Sequence, residues 1–185
     1  MPRRTATPGQ TVGPFFHYAL PYAGDRDLVA PGTPGSVLLH GTVTDGEGRG
    51  VQDALVEIWQ ADPAGNVVQR AGSLRRDGHT FTGWGRSTTD RTGRYTFTTL
   101  EPGSVDGRLP CFAVTVFARG LLDRLFTRAY LPLAERPGAG PDGLLRSTGD
   151  RAGTLLCERD EHGLRFDIAL QGADETVFLT YPGHS

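Results

Sequence analysis

The sequence contains no lysine, and all 19 of its basic residues are arginine. Set against 21 acidic residues, they leave a net charge of −2, so the composition gives no argument for binding nucleic acid or an anionic membrane. Long apolar runs are also absent: no stretch approaches a membrane span, and the N-terminus has no apolar segment of the signal-peptide kind. These absences predict a soluble protein, most simply a cytoplasmic one.

Cysteine and clustered histidine are scarce as well. Cys111 and Cys157 both lie in apolar strand-like runs, so we expect buried, reduced thiols rather than a disulfide. No two of the five histidines lie within four residues of each other, which leaves no local metal-binding pair. We expect His40, in the middle of a predicted strand, to be a satisfied side chain rather than a ligand. Phosphate-binding loops, nucleophile elbows, Cys-x-x-Cys and His-Glu-x-x-His motifs do not occur.

The first feature along the chain is the segment 1–35, which we call the arm. Its recurring proline and glycine residues exclude a long helix or a central strand. Its aromatic residues Phe15, Phe16 and Tyr18 must bury against something, either the chain's own core or a partner chain. A second interpretation of the arm is a nitrogen–oxygen metal set made by His17, Tyr18 and Tyr22, of a kind that suits ferric iron or copper.

Residues 36–185 predict one all-β sandwich domain with little helix, because short strand-like runs alternate with turn signals. The runs 36–45 and 55–60 flank a glycine-rich turn and predict a hairpin. Further strands are predicted at the positions 84–89, 94–99, 111–117, 125–131, 155–159, 164–170 and 176–181. The runs 155–159 and 164–170 flank a turn at 160–163 and predict a second hairpin, and the ambiguous stretch 144–156 allows one or two helical turns at 150–156.

Two of these strands flank the loop 101–109. In residues 94–99, large aromatic residues alternate with polar ones, which predicts a half-buried strand. In residues 111–117, both faces of the strand would be apolar except at Thr115, which predicts a strand covered on both faces. A loop held between two adjacent strands is a good platform for chemistry.

Short motifs in a fixed order give the chain a family resemblance. They are Gln-Thr-Val-Gly-Pro-Phe at 10–15, Glu-Ile-Trp-Gln-Ala-Asp at 57–62, Gly-Arg-Tyr-Thr-Phe at 93–97, Pro-Gly at 102–103, Phe-Ala-Arg-Gly at 117–120, Thr-Arg-Ala-Tyr at 127–130, Arg-Phe-Asp-Ile at 165–168 and Glu-Thr-Val-Phe at 175–178. In this order they resemble the intradiol ring-cleavage dioxygenases along nearly the whole chain. The resemblance implies a β-sandwich and chemistry at a non-haem Fe(III) held by two tyrosines and two histidines.

The resemblance also implies that this chain lacks the iron ligands. Motif matching puts the two tyrosine positions at Val67 and Val105, and the histidine pair at Cys111 and Ala113. Valine and alanine offer no donor atom, and a lone thiolate is a soft ligand unsuited to ferric iron among oxygen donors. In two-chain members of the family, an iron-free α subunit of this kind completes the substrate pocket of an iron-bearing β subunit.

The pocket residues of such an α subunit match positions in this chain. Thr11, Gly13 and Pro14 correspond to a segment that lines the cleft over the partner's iron, and Arg119 to an arginine that reaches towards an aromatic acid substrate. Gly13 allows close backbone approach to a flat ring, and Pro14 stiffens that approach. The fork of Arg119 suits a carboxylate. Arg108 matches an arginine beside the iron of catalytic chains, and here we interpret it as structural.

The expected function is therefore that of an iron-free subunit of a hetero-oligomeric dioxygenase. The cofactor Fe(III) would be held by the β subunit, and the substrates would be 3,4-dihydroxybenzoate and O2. Two alternatives stay open at this point: a self-sufficient intradiol dioxygenase with a rearranged metal site, and a non-enzymatic binding domain of the sandwich type.

Overall fold

Two β-sheets share one apolar core in the computed structural model, which describes residues 10–13, 16–135 and 143–181. The first sheet has the strand order β4-β1-β8-β7, with β9 also paired to β1, and the second has the order β3-β2-β5-β6. The strands are β1 Ser36–Thr44, β2 Leu55–Trp59, β3 Trp84–Thr88, β4 Arg94–Leu100, β5 Cys111–Phe117, β6 Leu125–Tyr130, β7 Glu158–Arg159, β8 Leu164–Arg165 and β9 Ile168–Ala169. The predicted all-β sandwich is confirmed.

Among the residues that the structure describes, helix is limited to short pieces. They are α1 Phe16–Ala19, α2 Gly143–Ser147 and the 3₁₀ helices Leu133–Glu135 and Gly149–Leu155. Within the described ranges, no helix has the length and apolar character needed to cross a membrane.

The period-two patterns explain which side of each strand is buried. In β4, Tyr95 and Phe97 are almost completely buried while Arg94 is exposed, as the alternation predicts. On β5, Phe112, Val114 and Val116 face the same core from the opposite sheet. The core therefore lies between the two sheets, and their outer faces are left for polar residues and clefts.

The predicted hairpin of β1 and β2 is wrong. The turn after β1 forms, with the Asp45 amide donating to the Arg49 carbonyl, but β1 pairs with β4 and β2 pairs with β3 and β5. Likewise, β4 and β5 belong to different sheets, so the loop between them bridges the sandwich instead of joining adjacent strands. The alternation of apolar and polar residues identifies which face of a strand is buried, but it does not identify the strand's partner. Two strands in opposite sheets that face the same core show the same alternation as two paired strands in one sheet.

The prediction that β5 is covered on both faces is also wrong. Although β5 lies between β2 and β6, Ala113 is exposed and Cys111 is half-buried. Both residues alternate along β5 with the core-facing residues and therefore lie on the outer face of the second sheet, where a cleft opens. The two cysteines are thiols, but only Cys157 is fully buried, so the expectation of two buried thiols holds for one of them.

The C-terminal part departs less from expectation. Strands β7 and β8 form the predicted antiparallel pair, but β9 then pairs in parallel with β1. The strand predicted at 176–181 is reduced to a single bridge between Phe126 and Leu179. The helical turns expected near 150–156 are present as a 3₁₀ helix.

The described part of the arm packs partly on its own sandwich. The rings of Phe16 and Phe117 lie 5.7 Å apart, and Leu28 is only 3% exposed inside the main core. Tyr18, in contrast, is 75% exposed. Phe15 lies outside the described residues, and the domain boundary at residue 35 stays a prediction.

Candidate functional site

A cleft of about 320 Å³ opens on the outer face of the second sheet, between the end of β2 and the start of β5. All four positions that the family resemblance assigns to iron ligands line it: Val67, Val105, Cys111 and Ala113. Motif matching along the sequence thus identified four positions that the fold brings together. We call this cavity the valine cleft.

The valine cleft is lined by two loops, one after β2 and one between β4 and β5, whose backbones are in close contact. A Cβ atom placed on Gly103 would lie 2.4 Å from the Pro63 carbonyl oxygen, and one on Gly65 would lie 2.0 Å from that of Ser104. Gly65 also has a φ of 87°, which only glycine adopts without strain. The Asp62 carboxylate closes the first loop by accepting from the Asn66 side chain and amide, and these bonds lower the pKa of Asp62.

The donor set of the valine cleft does not fit ferric iron. Two valines and an alanine have no donor atom, which leaves the Cys111 thiol as the one candidate ligand at the four positions. Throughout the described part of the chain, no group of three or more histidine, cysteine or acidic side chains is arranged to hold a metal ion.

The valine cleft instead carries positive charge. Arg108 and Arg128 line it, and no acidic residue is among its described lining. Arg128 Nη1 donates to the Tyr130 hydroxyl at 3.2 Å. Partial burial disfavours the charge on Arg128, but the bond to Tyr130 and the neighbouring Cys111 outweigh it and raise the pKa of Arg128.

The predicted pocket residues lie elsewhere, beyond the other end of β5. The backbone amide of Gly120 donates to Thr11 Oγ1 at 2.7 Å, which brings the arm to the Phe-Ala-Arg-Gly turn that carries Arg119. Gly13 is exposed, with open space where a side chain would be. Pro14 lies outside the described residues.

Arg119 makes a surface ion pair in this chain. Its Nη2 donates to Asp53 Oδ2 at 2.8 Å, and about half of the Arg119 side chain is exposed. Asp53 adopts a φ of 65°, a conformation uncommon for a residue with a side chain. Because a guanidinium has five N–H donors, one bond to Asp53 leaves much of the fork available to an anion.

The two sets of residues cannot serve one ligand within this chain. Cys111 begins β5 and Arg119 follows its last residue, Phe117. At about 3.3 Å per residue, the ends of this strand are about 20 Å apart. Neither Thr11 nor Arg119 lines the valine cleft.

The alternative metal set on the arm finds little support in the geometry. The Tyr22 hydroxyl donates to the Ser73 carbonyl, and Tyr18 is exposed to solvent. His40 Nε2 lies 3.1 Å from Asp160 Oδ1, which confirms that His40 is a satisfied side chain. The side chain of His17 lies outside the described residues.

Sequence reasoning missed Trp59, Arg128 and Asp53. Strand parity could have found the first two, because Trp59 and Arg128 pair with Ala113 from the neighbouring strands β2 and β6. Nothing local identifies Asp53, which lies 66 residues before its partner Arg119.

Comparison with known proteins places this geometry in a family. A dioxygenase family model matches residues 12–120, which is more than half of the chain. The chain belongs to the intradiol ring-cleavage dioxygenases.

Its similarity to individual proteins is more specific. The chain is 37% identical to the protocatechuate 3,4-dioxygenase alpha chain of Burkholderia cepacia, over 94% of this chain and 96% of that one. The protocatechuate 3,4-dioxygenase beta chain of the same species is 32% identical over 76% of this chain and 66% of its own length. Among solved structures, the dioxygenase domain of a dioxygenase–carbohydrate-binding protein fusion from Streptomyces sp. SirexAA-E has a TM-score of 0.55 and 25% identity, covering 91% of this chain and 100% of that one.

Proposed function

We propose that this chain is an iron-free α subunit of a protocatechuate 3,4-dioxygenase and that it acts together with a β subunit that holds Fe(III). The observation that carries the proposal is the valine cleft, in which the four family ligand positions converge without a donor set for iron. The similarity to an alpha chain over almost the full length of both proteins supports the same assignment. Two thiols are compatible with a reducing compartment, and we propose the cytoplasm.

The proposed reaction opens the ring of 3,4-dihydroxybenzoate between its two hydroxyl-bearing carbons. Both atoms of O2 enter the product, 3-carboxy-cis,cis-muconate, and no external reductant is needed. The iron of the β subunit supplies the oxygen chemistry.

The proposed contribution of this chain is to bind and orient the substrate in the β subunit's pocket. Arg119 would direct its free N–H donors at the substrate carboxylate while Asp53 holds its other side. Thr11, Gly13 and Pro14 would form part of the pocket wall. The separation of Arg119 from the valine cleft along β5 favours this role in a pocket shared with another chain.

Co-expression tests the proposal. The chain is produced alone and together with a paralogous chain that carries tyrosine and His-x-His at the aligned positions, and iron content, visible absorption and ring cleavage are measured. We expect the chain alone to be colourless and inactive, since no tyrosinate is available to give a charge-transfer band with iron. The pair should co-purify, bind one iron per pair and cleave the substrate.

Three results would contradict it. Stoichiometric iron or a visible band in the isolated chain would show that it has a metal site of its own. Failure to co-purify with the paralogue would favour a free-standing binding domain. Equal activity of the paralogue with and without this chain would show that its pocket is complete alone.

A further inference from the structure

The valine cleft has the dimensions of a small-ligand site. Its volume of about 320 Å³ lies at the lower end of the range found for ligand pockets, which suits a compound with a single ring. The two loops that stack at Gly65 and Gly103 contribute Val67 and Val105 to its lining, and β5 contributes Cys111 and Ala113.

Its walls are apolar and exposed to solvent. Trp59 is 51% exposed and Val67 is 65% exposed, although both side chains are large and apolar. Val105 and Ala113 continue the same surface. A flat apolar body that covered the Trp59 ring would remove this surface from water and gain stacking contacts.

The charged side chains in its described lining are all positive. Arg108 and Arg128 are the two charged residues of the described lining, and Arg108 has no ion-pair partner among the described residues. Arg128 uses Nη1 for Tyr130 and keeps further donors. Two guanidinium groups beside apolar walls are matched by a ligand with an anionic group on a flat apolar ring.

We propose that the valine cleft binds a small aromatic carboxylate without iron and without turnover. The ring would lie against Trp59 and the valines, and the carboxylate would accept hydrogen bonds from Arg108 and Arg128. This inference goes beyond the proposed function, because it concerns a cavity of this chain alone. It can fail while the subunit assignment holds, and the reverse is also possible.

The test uses benzoate as the probe and Trp59 as the reporter on the full chain. Of the two tryptophans, Trp59 lines the cleft and Trp84 is buried. We expect saturable quenching of tryptophan fluorescence by benzoate, and at least tenfold weaker binding of the neutral isostere benzamide, since a hydrogen bond to a charged group contributes about 1.5–3 kcal/mol. Trp59→Phe should abolish the signal.

Substitutions locate the site. Arg108→Gln should weaken benzoate binding about tenfold or more, and Arg128→Gln should do the same if circular dichroism shows it folded. Arg91→Gln is the matched control, because Arg91 is exposed in the β3–β4 turn and does not line the cleft. An unchanged benzoate affinity in Arg108→Gln would overturn the proposal even if Arg128→Gln fails to fold.

Equilibrium dialysis extends the test to the co-expressed assembly. Arg108→Gln should remove one bound benzoate per copy of this chain while the iron content is unchanged. Binding by the isolated chain that disappears in the wild-type assembly would contradict the proposal, because a segment of the partner would then fill the cleft. No saturable response in a folded chain would also overturn it.

Discussion

The amide of Gly120 donates to Thr11 Oγ1 across 2.7 Å, although 109 positions separate the two residues. This bond fastens the arm to the turn that presents Arg119. The two parts of the predicted pocket that the structure describes, the arm and the arginine turn, are therefore held together within one chain. Pairs of variants can separate what each part contributes.

Thr11→Val should loosen the arm, because it removes the hydroxyl that accepts from Gly120 while keeping the size of the side chain at position 11. The loss of one hydrogen bond is worth about 0.5–1.5 kcal/mol, so hydrogen exchange at the Gly120 amide should become about two- to tenfold faster. Thr11→Ser keeps the acceptor oxygen and should keep the slow exchange. Thr33→Val, which removes a local bond to the Ala30 carbonyl, is the control and should leave Gly120 unaffected. Unchanged exchange in Thr11→Val would show that the bond does not hold the arm.

Arg119→Ala should lower kcat/KM of the assembled enzyme for 3,4-dihydroxybenzoate about ten- to hundredfold, mainly through KM. The reason is the loss of charged donors for the substrate carboxylate. Arg119→Lys should restore part of the loss, because a point charge lacks the fork geometry. A catechol without a carboxylate should show a smaller effect.

The control for Arg119 is Arg124→Ala, since Arg124 stacks over the Phe126 ring at 5.0 Å and has no predicted pocket role. Iron content and assembly should be unchanged in both variants. If the Arg119→Ala enzyme keeps the wild-type kcat/KM, Arg119 does not contribute to substrate binding, and its role is limited to the surface ion pair with Asp53.

Leu28→Ala should destabilise the sandwich although Leu28 belongs to the predicted arm. The side chain is 3% exposed, and a Cβ atom on Gly85 would lie 2.4 Å from Leu28 Cδ1, so the packing is tight. We expect the free energy of unfolding, from urea denaturation of the full chain, to fall by about 2–5 kcal/mol. Leu74→Ala, at a residue 70% exposed, should change it by about 0.5 kcal/mol or less. Equal effects would mean that the arm is not part of the core.

Asp90→Asn should reduce stability in a pH-dependent manner. The Asp90 carboxylate accepts from the Thr92 hydroxyl and from the Thr92 and Arg94 amides, which lowers its pKa below the ordinary value. The charged form therefore stabilises the fold above the pKa of the unfolded chain, and this contribution is lost as the pH falls through the lower pKa of the folded state. Asp90→Asn should melt at a lower temperature than wild type at pH 7.

The difference in melting temperature should shrink as the pH is lowered below about 4, where the unfolded carboxylate titrates. Asp123→Asn, at an exposed residue before β6, serves as the control. A difference that stays constant from pH 7 to acid would show that charge on Asp90 does not contribute.

Side-chain periodicity predicted individual strands well and their partners poorly. The alternation around Tyr95 and Phe97 identified β4 and its buried face, because burial of one face is a local property. Pairing depends on which sheet a strand joins, and either side of one core satisfies the same alternation. That is why β1 and β2 appeared to be a hairpin while they lie in opposite sheets.

The candidate site shows a similar division. Family motifs identified Val67, Val105, Cys111 and Ala113, and the fold brings them into one cleft. The partner of Arg119 could not be predicted, because the ion pair with Asp53 depends on how distant segments meet in the folded chain.

The parallel pairing of β1 with β8 and β9 has a consequence for biosynthesis. Strand β1 is translated before its partners: β4, which covers one of its edges, is complete at residue 100, whereas β8 and β9, which cover the other edge, are complete only at residue 169. Until then, β1 presents unpaired amides and carbonyls to other nascent chains. Closure of this sheet therefore depends on long-range pairing. We expect a chain truncated before residue 164, which lacks β8 and β9, to be prone to aggregation.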